Sequence, residues 1–349
     1  KHKVIFYAES KHYYQYFKKL INDLLESKVT IYYITSDADD PLLINNQKGI
    51  KVVYIKWMVG FLFSKIKADV MVMTMPDLGN FLFKKSPAVG IYIYIFHAAV
   101  STHQQYRKEA FYNYDAIFCT GEYQYKEIRL SEKLYRQQQK ELIRYGYPLI
   151  DRIENKIDPV KNKPVILVAP SWFEGCIFEV CIEELLQQLS KLPFNIILRS
   201  HPEYEKRKKK SFREIRKMLS RYANMTIDIA ANVQESLASA SILITDRSGI
   251  AFEFAFGTGR PVLFIDTLQK QINPDWKELN SEPVENILRS QLGITIPHSS
   301  LDHLKESIDE LEKIRIGFDQ KMRQLKKTTF YNSAESYKNG VDFVLSKIV

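Results

Sequence analysis

Two histidines occupy matching slots, each just after a short run of β-forming residues. His97 follows Ile91 to Phe96 and leads into Ala98-Ala99-Val100-Ser101-Thr102-His103-Gln104. Ser101 with Gln104 fits a capping box that opens a helix, which puts His97 in a strand-to-helix loop. A neutral imidazole there can deprotonate a hydroxyl, and a hydrogen-bonded structural histidine fits the same spacing. His103, inside the helix, reads as structural. His201 lies in Arg199-Ser200-His201-Pro202-Glu203 after the run Asn195 to Arg199, and Pro202 holds it in an extended turn. Arg199 and His201 could bring positive charge or hydrogen bonds to a phosphate.

A third post-strand segment, Leu243 to Glu253, turns through Thr245-Asp246-Arg247-Ser248-Gly249 into a helix. Backbone N–H groups at the helix start, the Ser248 hydroxyl and close approach at Gly249 suit a diphosphate, and Arg247 could pair with it. Ordinary capping by Asp246 or Ser248 accounts for the same residues. No GxGxxG or Walker A pattern occurs, so a dinucleotide or P-loop reading has no support. Ser36-Asp37-Ala38-Asp39-Asp40 has the spacing of a metal-binding DxD, but with no further acidic cluster a solvated turn explains it better. Asp77, in Met75-Pro76-Asp77, is a further post-strand candidate.

These residues need a scaffold that ends strand after strand on one side. Apolar β-rich runs alternate with helical patterns along nearly the whole chain, which predicts parallel sheets covered by helices. In the first half the predicted strands are Val4 to Tyr7, Val29 to Thr35, Lys51 to Ile55, Asp69 to Thr74, Gly90 to Phe96 and Ala116 to Thr120. A helix with Tyr14, Phe17, Leu20, Ile21, Leu24 and Leu25 on one face, N-capped by Ser10, follows the first. In the second half they are Pro164 to Ala169, Phe194 to Arg199, Met225 to Ile229, Ser241 to Thr245 and Pro261 to Asp266. Helices are predicted near Phe178 to Leu192, Ser211 to Tyr222, Val233 to Ala240 and Ile250 to Phe256, with tail helices at Leu301 to Lys327 and Ser333 to Ile348.

The polar stretch Asp151 to Lys163 predicts a linker between domains 1–150 and 151–349, the last helix packing back on the first. The fold class expected is therefore α/β, two facing doubly wound Rossmann-like domains whose ligands bind beyond the carboxyl ends of the strands.

The 349 residues, 45% apolar and 26% charged, suit a globular chain of about two domains. The three cysteines, Cys119, Cys176 and Cys181, form neither a disulfide framework nor a zinc pattern, which points to a reducing compartment. The chain begins without Met and enters a strand directly, as a module excised from a longer chain would. Its longest apolar run, Trp57 to Phe63, is far short of the ~20 residues of a spanning helix. A net charge of +9 points to an anionic partner. The densest basic block, Lys206-Arg207-Lys208-Lys209-Lys210 continued by Arg213, Arg216, Lys217 and Arg221, fits a solvated helix face. It equally fits contact with anionic lipid at about 1 kcal/mol per residue, aided by Trp57 to Phe63 dipping into the interface. No helix-turn-helix, RNP or zinc-finger pattern supports nucleic acid.

In chain order these elements resemble the CDP-glycerol glycerophosphotransferase family, the teichoic-acid and capsule polymerases and primases of GT-B fold. The resemblance rests on the His97 loop, on Tyr145-Gly146-Tyr147-Pro148-Leu149-Ile150-Asp151 against the family's G-x-P-R-x-D, and on Ala169-Pro170-Ser171-Trp172 against A-P-T-W. Arg199-Ser200-His201-Pro202 and Thr245-Asp246-Arg247-Ser248-Gly249 match two further landmarks. Here Ala98 follows His97 where the family has H-G-T, Leu149 stands where its Arg is common, and Arg247-Ser248-Gly249 replaces Tyr-Ser-Ser.

The resemblance implies an acceptor-side first domain and a nucleotide-donor second domain. It gives His97 the place of the catalytic base, His201 that of a second essential histidine, and Ser248 with Asp246 to Gly249 that of the donor diphosphate site. Ser171, Arg199, Thr245, Arg247 and Glu253 join the nucleotide-binding set. The implied enzyme moves glycerol phosphate, or a related alditol phosphate, from a CDP-activated donor to a hydroxyl of a cell-surface glycan or lipid-linked acceptor, releasing CMP. It would need no metal or other cofactor and work in the cytoplasm or against the inner face of the membrane. The alternatives are a GT-B glycosyltransferase using a CMP- or UDP-activated sugar for capsule or lipopolysaccharide, and a non-catalytic nucleotide or glycan-binding module.

Overall fold

Runs such as Val-Ile-Phe-Tyr-Ala, with no residue facing water, form only where helices cover both faces of a sheet, and that is how the chain is built. The computed structural model describes residues 3–45, 47–56, 59–80, 83–154, 164–230, 232–269 and 271–348. It divides into one unit of Lys1–Pro148, Ile272–Ser281 and Lys327–Val349, and a second of Leu149–Gln271 and Glu282–Lys326.

The first unit holds strands β1 (Val4–Ala8), β2 (Ile31–Thr35), β3 (Ile50–Tyr54), β4 (Ala68–Met73), β5 (Val89–Ile95), β6 (Ala116–Cys119) and β7 (Glu141–Arg144). They form one parallel seven-stranded sheet in the order β3-β2-β1-β4-β5-β6-β7. Val4 of β1 is in register with Ile31 on one side and Val70 on the other. The helix Tyr14–Glu26 buries Phe17, Leu20, Ile21 and Leu24, with the Phe6 and Phe17 rings 5.4 Å apart. Ser10 does not cap this helix, which opens at Tyr14 without a side-chain cap. The Ser10 hydroxyl instead donates to the Asp37 carboxylate, as does the backbone N–H of Lys11.

The second unit holds β8 (Val165–Val168), β9 (Asn195–Leu198), β10 (Met225–Ile227), β11 (Ile242–Thr245), β12 (Val262–Asp266) and β13 (Gly293–Pro297). They form a parallel six-stranded sheet in the order β10-β9-β8-β11-β12-β13. Two strands and two helices of nine or more residues go beyond what the sequence pattern predicts: β7, β13, Glu122–Leu134 and Val284–Leu292. Gly293 lets β13 close on β12, since a Cβ there would run into the Val262 carbonyl.

Several expected elements are shorter or broken. The helix near Phe178 to Leu192 is two, Ile177–Val180 and Ile182–Leu189, parted at Cys181 where φ is −153°. The tail stretch Leu301 to Lys327 is likewise interrupted, into Leu304–Ile314 and Phe318–Thr329, with Gly317 between them at φ +76°. The start of the expected linker is helical: Asp151 and Glu154 lie in the helix Pro148–Glu154 and pair with Lys326 at 2.6 and 2.8 Å. Residues 155–163 lie outside the described residues, as do Trp57 and Met58.

Two late segments complete the first unit. Ile272 and Asn273 donate their backbone N–H groups to Gln104 O, and the Asn273 amide donates to His103 O. The helix Ala334–Ser346, capped by Ser333, packs against the helix Tyr14–Glu26 and β7. Gly340 lies so close to the Tyr145 and Phe118 rings that it leaves no room for a Cβ.

Candidate functional site

In the first unit the strand order reverses between β1 and β4, and the crevice beyond their carboxyl ends is where a doubly wound sheet binds ligands. His97, two residues past β5, lies beside it. Its Nδ1 is 3.1 Å from Thr74 O, in the loop after β4. A carbonyl only accepts, so Nδ1 carries the proton and the neutral ring has its lone pair on Nε2, the form a general base needs. The Tyr147 hydroxyl donates to His97 O at 3.1 Å. The rings of Tyr13, Tyr16 and Tyr106 stand 5.5, 6.2 and 6.2 Å from the imidazole. Strand-end reasoning does not reach this aromatic surround; its signal in the sequence is Tyr13-Tyr14-Gln15-Tyr16 at the first helix after β1.

The capping box at Ser101 does not form. Glu127 reaches over from the helix Glu122–Leu134 and accepts from Thr102 N and the Thr102 hydroxyl at 2.6 and 2.8 Å, leaving Gln104 to other contacts. His103 is buried, with Nε2 donating to Ser281 O at 2.9 Å and Nδ1 3.4 Å from Glu127. Asp77 adopts φ +63°, and burial pushes its carboxyl above the usual range, Arg107 opposing and Glu109 adding to the rise.

The DxD-like run is structural. Asp37 accepts from Lys11 N and Asp39 N, both at 3.0 Å. Burial works against its charge, but these amides and Lys11 outweigh burial and hold the carboxyl below the usual range. Asp40 caps Pro41–Ile44 through Leu42 N and accepts from the Tyr33 hydroxyl. Among the described residues no group of three or more His, Cys, Asp and Glu could hold a metal ion.

In the second unit the order reverses between β8 and β11. Asp246 sits at that point, fully buried, accepting from Ser171 N (2.8 Å), Ile177 N (3.1 Å) and Arg247 N (2.7 Å). Thr245, also buried, donates its hydroxyl to Ala169 O at 2.7 Å. Against the expectation that both contact the nucleotide, their side chains turn inward and bind the loop after β8 to the loop after β11. Ser171 is held by the same carboxylate.

Ser248 and Gly249 open the helix Ile250–Thr258, where Ile250 N donates to the Ser248 hydroxyl at 3.5 Å, Ala251 N to Ser248 O at 3.3 Å and Phe252 N to Gly249 O at 3.0 Å. Glu253 is buried one turn further on. Arg247 pairs with Asp266 at 2.6 Å. Arg289, from the helix Val284–Leu292 and unmarked by any motif, donates to Asp246 O at 2.9 Å.

Arg199 is engaged within its own unit. It pairs with Asp228 and donates to Ala230 O at 3.0 Å, tying β9 to the loop after β10. Burial opposes the Asp228 charge, but hydrogen bonds from Ser236 and Ala230 N, with Arg199, hold its carboxyl below the usual range. His201 is the N-cap of Pro202–Arg207, and its Nδ1 accepts from Glu203 N at 3.1 Å. Its neutral ring therefore carries the proton on Nε2 and acts as a donor, the reverse of His97. Trp172 lies 6.1 Å from this ring, with the Arg207 guanidinium 5.1 Å over the indole.

Most of the basic block lies in Pro202–Arg207 and Lys209–Leu219. Phe212, Ile215 and Leu219 pack into the second unit's core, which leaves the charged face outward. Val59–Phe63 belongs to the first unit, with Phe61 and Leu62 exposed. Among the described residues no helix is long and apolar enough to cross a membrane.

The chain is similar to the wall teichoic acid polymerase TagF, with TM-score 0.61, 18% identity, and coverage of 99% of this chain and 88% of that one. A TagF variant soaked with CDPG gives TM-score 0.60, 18% identity and coverage of 99% and 88%. A glycosyltransferase from Rickettsia africae gives TM-score 0.56, 11% identity and coverage of 99% and 97%. The fold is GT-B. A search of curated protein sequences finds no match. Residues 1–273 match the family model described as CDP-Glycerol:Poly(glycerophosphate) glycerophosphotransferase. The chain, an enzyme of GT-B fold, belongs to that family.

Proposed function

We propose that this enzyme transfers glycerol phosphate from CDP-glycerol to a hydroxyl of a glycan or lipid-linked acceptor and releases CMP. The observation that carries the reading is the Nδ1 to Thr74 O hydrogen bond of His97, which leaves Nε2 as the basic nitrogen. His97 takes the acceptor proton; the acceptor oxygen bonds to the glycerol-bearing phosphorus, and the bond from that phosphorus to the bridging oxygen breaks, its electron pair leaving on CMP. The second unit holds the donor: His201 Nε2–H, the Ser248 hydroxyl and the positive end of the helix Ile250–Thr258 meet its phosphates. These groups supply the base and the hydrogen bonds, so the proposed steps use no metal or other cofactor, and chelator should leave the rate unchanged.

The test is CMP release with a panel of CDP-glycerol, CDP-ribitol, CMP-sugars and UDP-sugars, with product masses. CDP-glycerol should be consumed, and His97→Gln should lower kcat about 10²- to 10⁴-fold, the worth of a general base. Normal turnover by that variant removes His97 as the base; turnover of a sugar donor alone replaces the reaction with glycosyl transfer. The enzyme works in the cytoplasm, and the charged face of Lys209–Leu219 meets the inner membrane surface by electrostatics without insertion. Vesicles with anionic lipid should bind it at low salt and release it at high salt.

A further inference from the structure

Arg247, just past β11, and Arg289, from the helix Val284–Leu292, share the carboxylate of Asp266 at the end of β12. Arg247 Nη2 lies 2.6 Å and Arg289 Nη2 3.7 Å from the same Asp266 oxygen. Arg289 is fixed on three sides: Nη1 donates to Asp246 O at 2.9 Å, Nε donates to the Thr295 hydroxyl at 3.2 Å, and the guanidinium lies 4.3 Å over the Phe264 ring. One carboxylate is too little for two such groups. Arg247 Nε and Arg289 Nη2 are buried and make no hydrogen bond; the Asp246 carboxylate also acts on Arg289, but its oxygens are taken by the amides of Ser171, Ile177 and Arg247. Burial, and then the Arg247 charge, push Arg289 down to about 10. The guanidinium side chains are 21% and 13% exposed, whereas Asp266 is 50% exposed and the easiest of the three to move.

We propose that Arg247 and Arg289 form a two-guanidinium seat for the diphosphate of the donor, and that Asp266 is a resident counter-ion which the diphosphate displaces. The assignment of this diphosphate to CDP-glycerol rests on the function proposed above; the anion seat itself does not. A diphosphate offers several acceptor oxygens and two negative charges where Asp266 offers one charge, so it satisfies the N–H groups that Asp266 leaves unmet. Arg247 is next in sequence to Ser248, so the seat continues the helix terminus already described. Return of Asp266 to the arginines favours release of the phosphate-bearing product.

Calorimetric titration of the full chain with CDP-glycerol, inorganic diphosphate and cytidine tests this, using wild type, Arg289→Lys, Arg247→Ala and Asp266→Asn. Arg247→Ala and Arg289→Lys should weaken CDP-glycerol and diphosphate about tenfold to a hundredfold and leave cytidine unchanged. Asp266→Asn should do the opposite, tightening both anions severalfold with a steeper salt dependence. Because Asp266 is half exposed, this variant tests the seat even where an arginine variant fails to fold. Unchanged or weaker diphosphate binding by Asp266→Asn overturns the proposal, as does wild-type diphosphate affinity in folded Arg289→Lys and Arg247→Ala. Wild type that binds diphosphate at this seat but not CDP-glycerol refutes the donor assignment and keeps the seat; wild type that binds neither refutes both.

Discussion

Replacing Asp246 by Asn changes one side-chain atom and should loosen the loops after β8 and β11 of the second unit. One carboxylate oxygen accepts from Ser171 N at 2.8 Å and Arg247 N at 2.7 Å, and the other from Ile177 N at 3.1 Å. In its better orientation Asn keeps the first pair and turns its NH2 toward the Ile177 N–H, donor against donor. One charge-assisted bond is lost and a buried amide is orphaned, a cost of about 2–4 kcal/mol. For a unit of this size each kcal/mol is worth about 2–4 °C, so its thermal transition should fall by roughly 5–15 °C. Scanning calorimetry reads this directly, and Thr245→Val, which loses one neutral hydrogen bond to Ala169 O, should cost only about 1 kcal/mol. Because Asp246 holds the β8 and β11 loops together, KM for the donor should rise more than kcat falls. An Asn variant whose transition moves by less than about 2 °C would refute the account of Asp246 as the tie between these loops.

Three other perturbations separate packing from chemistry. Gly340→Ala forces a methyl into the Tyr145 and Phe118 rings and should cost about 1–3 kcal/mol, read as a lower midpoint in urea; a neutral result would mean that the last helix is not seated as described. Asp228 has a folded pKa below its unfolded value, so its stabilisation is complete above about pH 4 and lost as pH falls through the folded pKa. Asp228→Asn should therefore be less stable than wild type at about pH 7 and approach it at acid pH, and a constant gap in acid unfolding curves would contradict this. His201→Asn keeps an N-cap acceptor but removes the Nε2 donor, so it should match wild type in midpoint while losing turnover; His201→Ala should also lose about 1 kcal/mol of stability.

The central strands were legible because burial on both faces demands unbroken apolar runs, as in β1. Two of the four edge strands were not, although β3 and β10 were: Glu141–Arg144 and Gly293–Pro297 are partly exposed and carry no such run. The helix Glu122–Leu134 escaped for another reason. It buries Gln124, Glu127 and Glu132 alongside Ile128, so apolar periodicity cannot reveal it. Gln124 accepts from Thr120, Glu127 from Thr102, and Glu132 from Lys140 N. A helix seated through hydrogen bonds to distant backbone looks, in sequence, like one facing water.

The same limit applies more sharply to the candidate site. Its positions followed from strand ends, but their chemistry depended on which backbone group lies against each side chain. Arg199 and Arg247 both read as phosphate ligands; Asp228 and Ala230 O occupy the first, while the second shares a carboxylate with Arg289, a residue that no motif marks. The two histidines make the clearest case. Both follow a strand, yet a carbonyl meets Nδ1 of His97 and an amide N–H meets Nδ1 of His201. One ring is thereby poised to accept a proton at Nε2 and the other to donate a hydrogen bond from it. The proposed reaction makes opposite demands of a base for the attacking hydroxyl and of a donor to the departing phosphate, and the fold reverses what faces the two rings in that same sense.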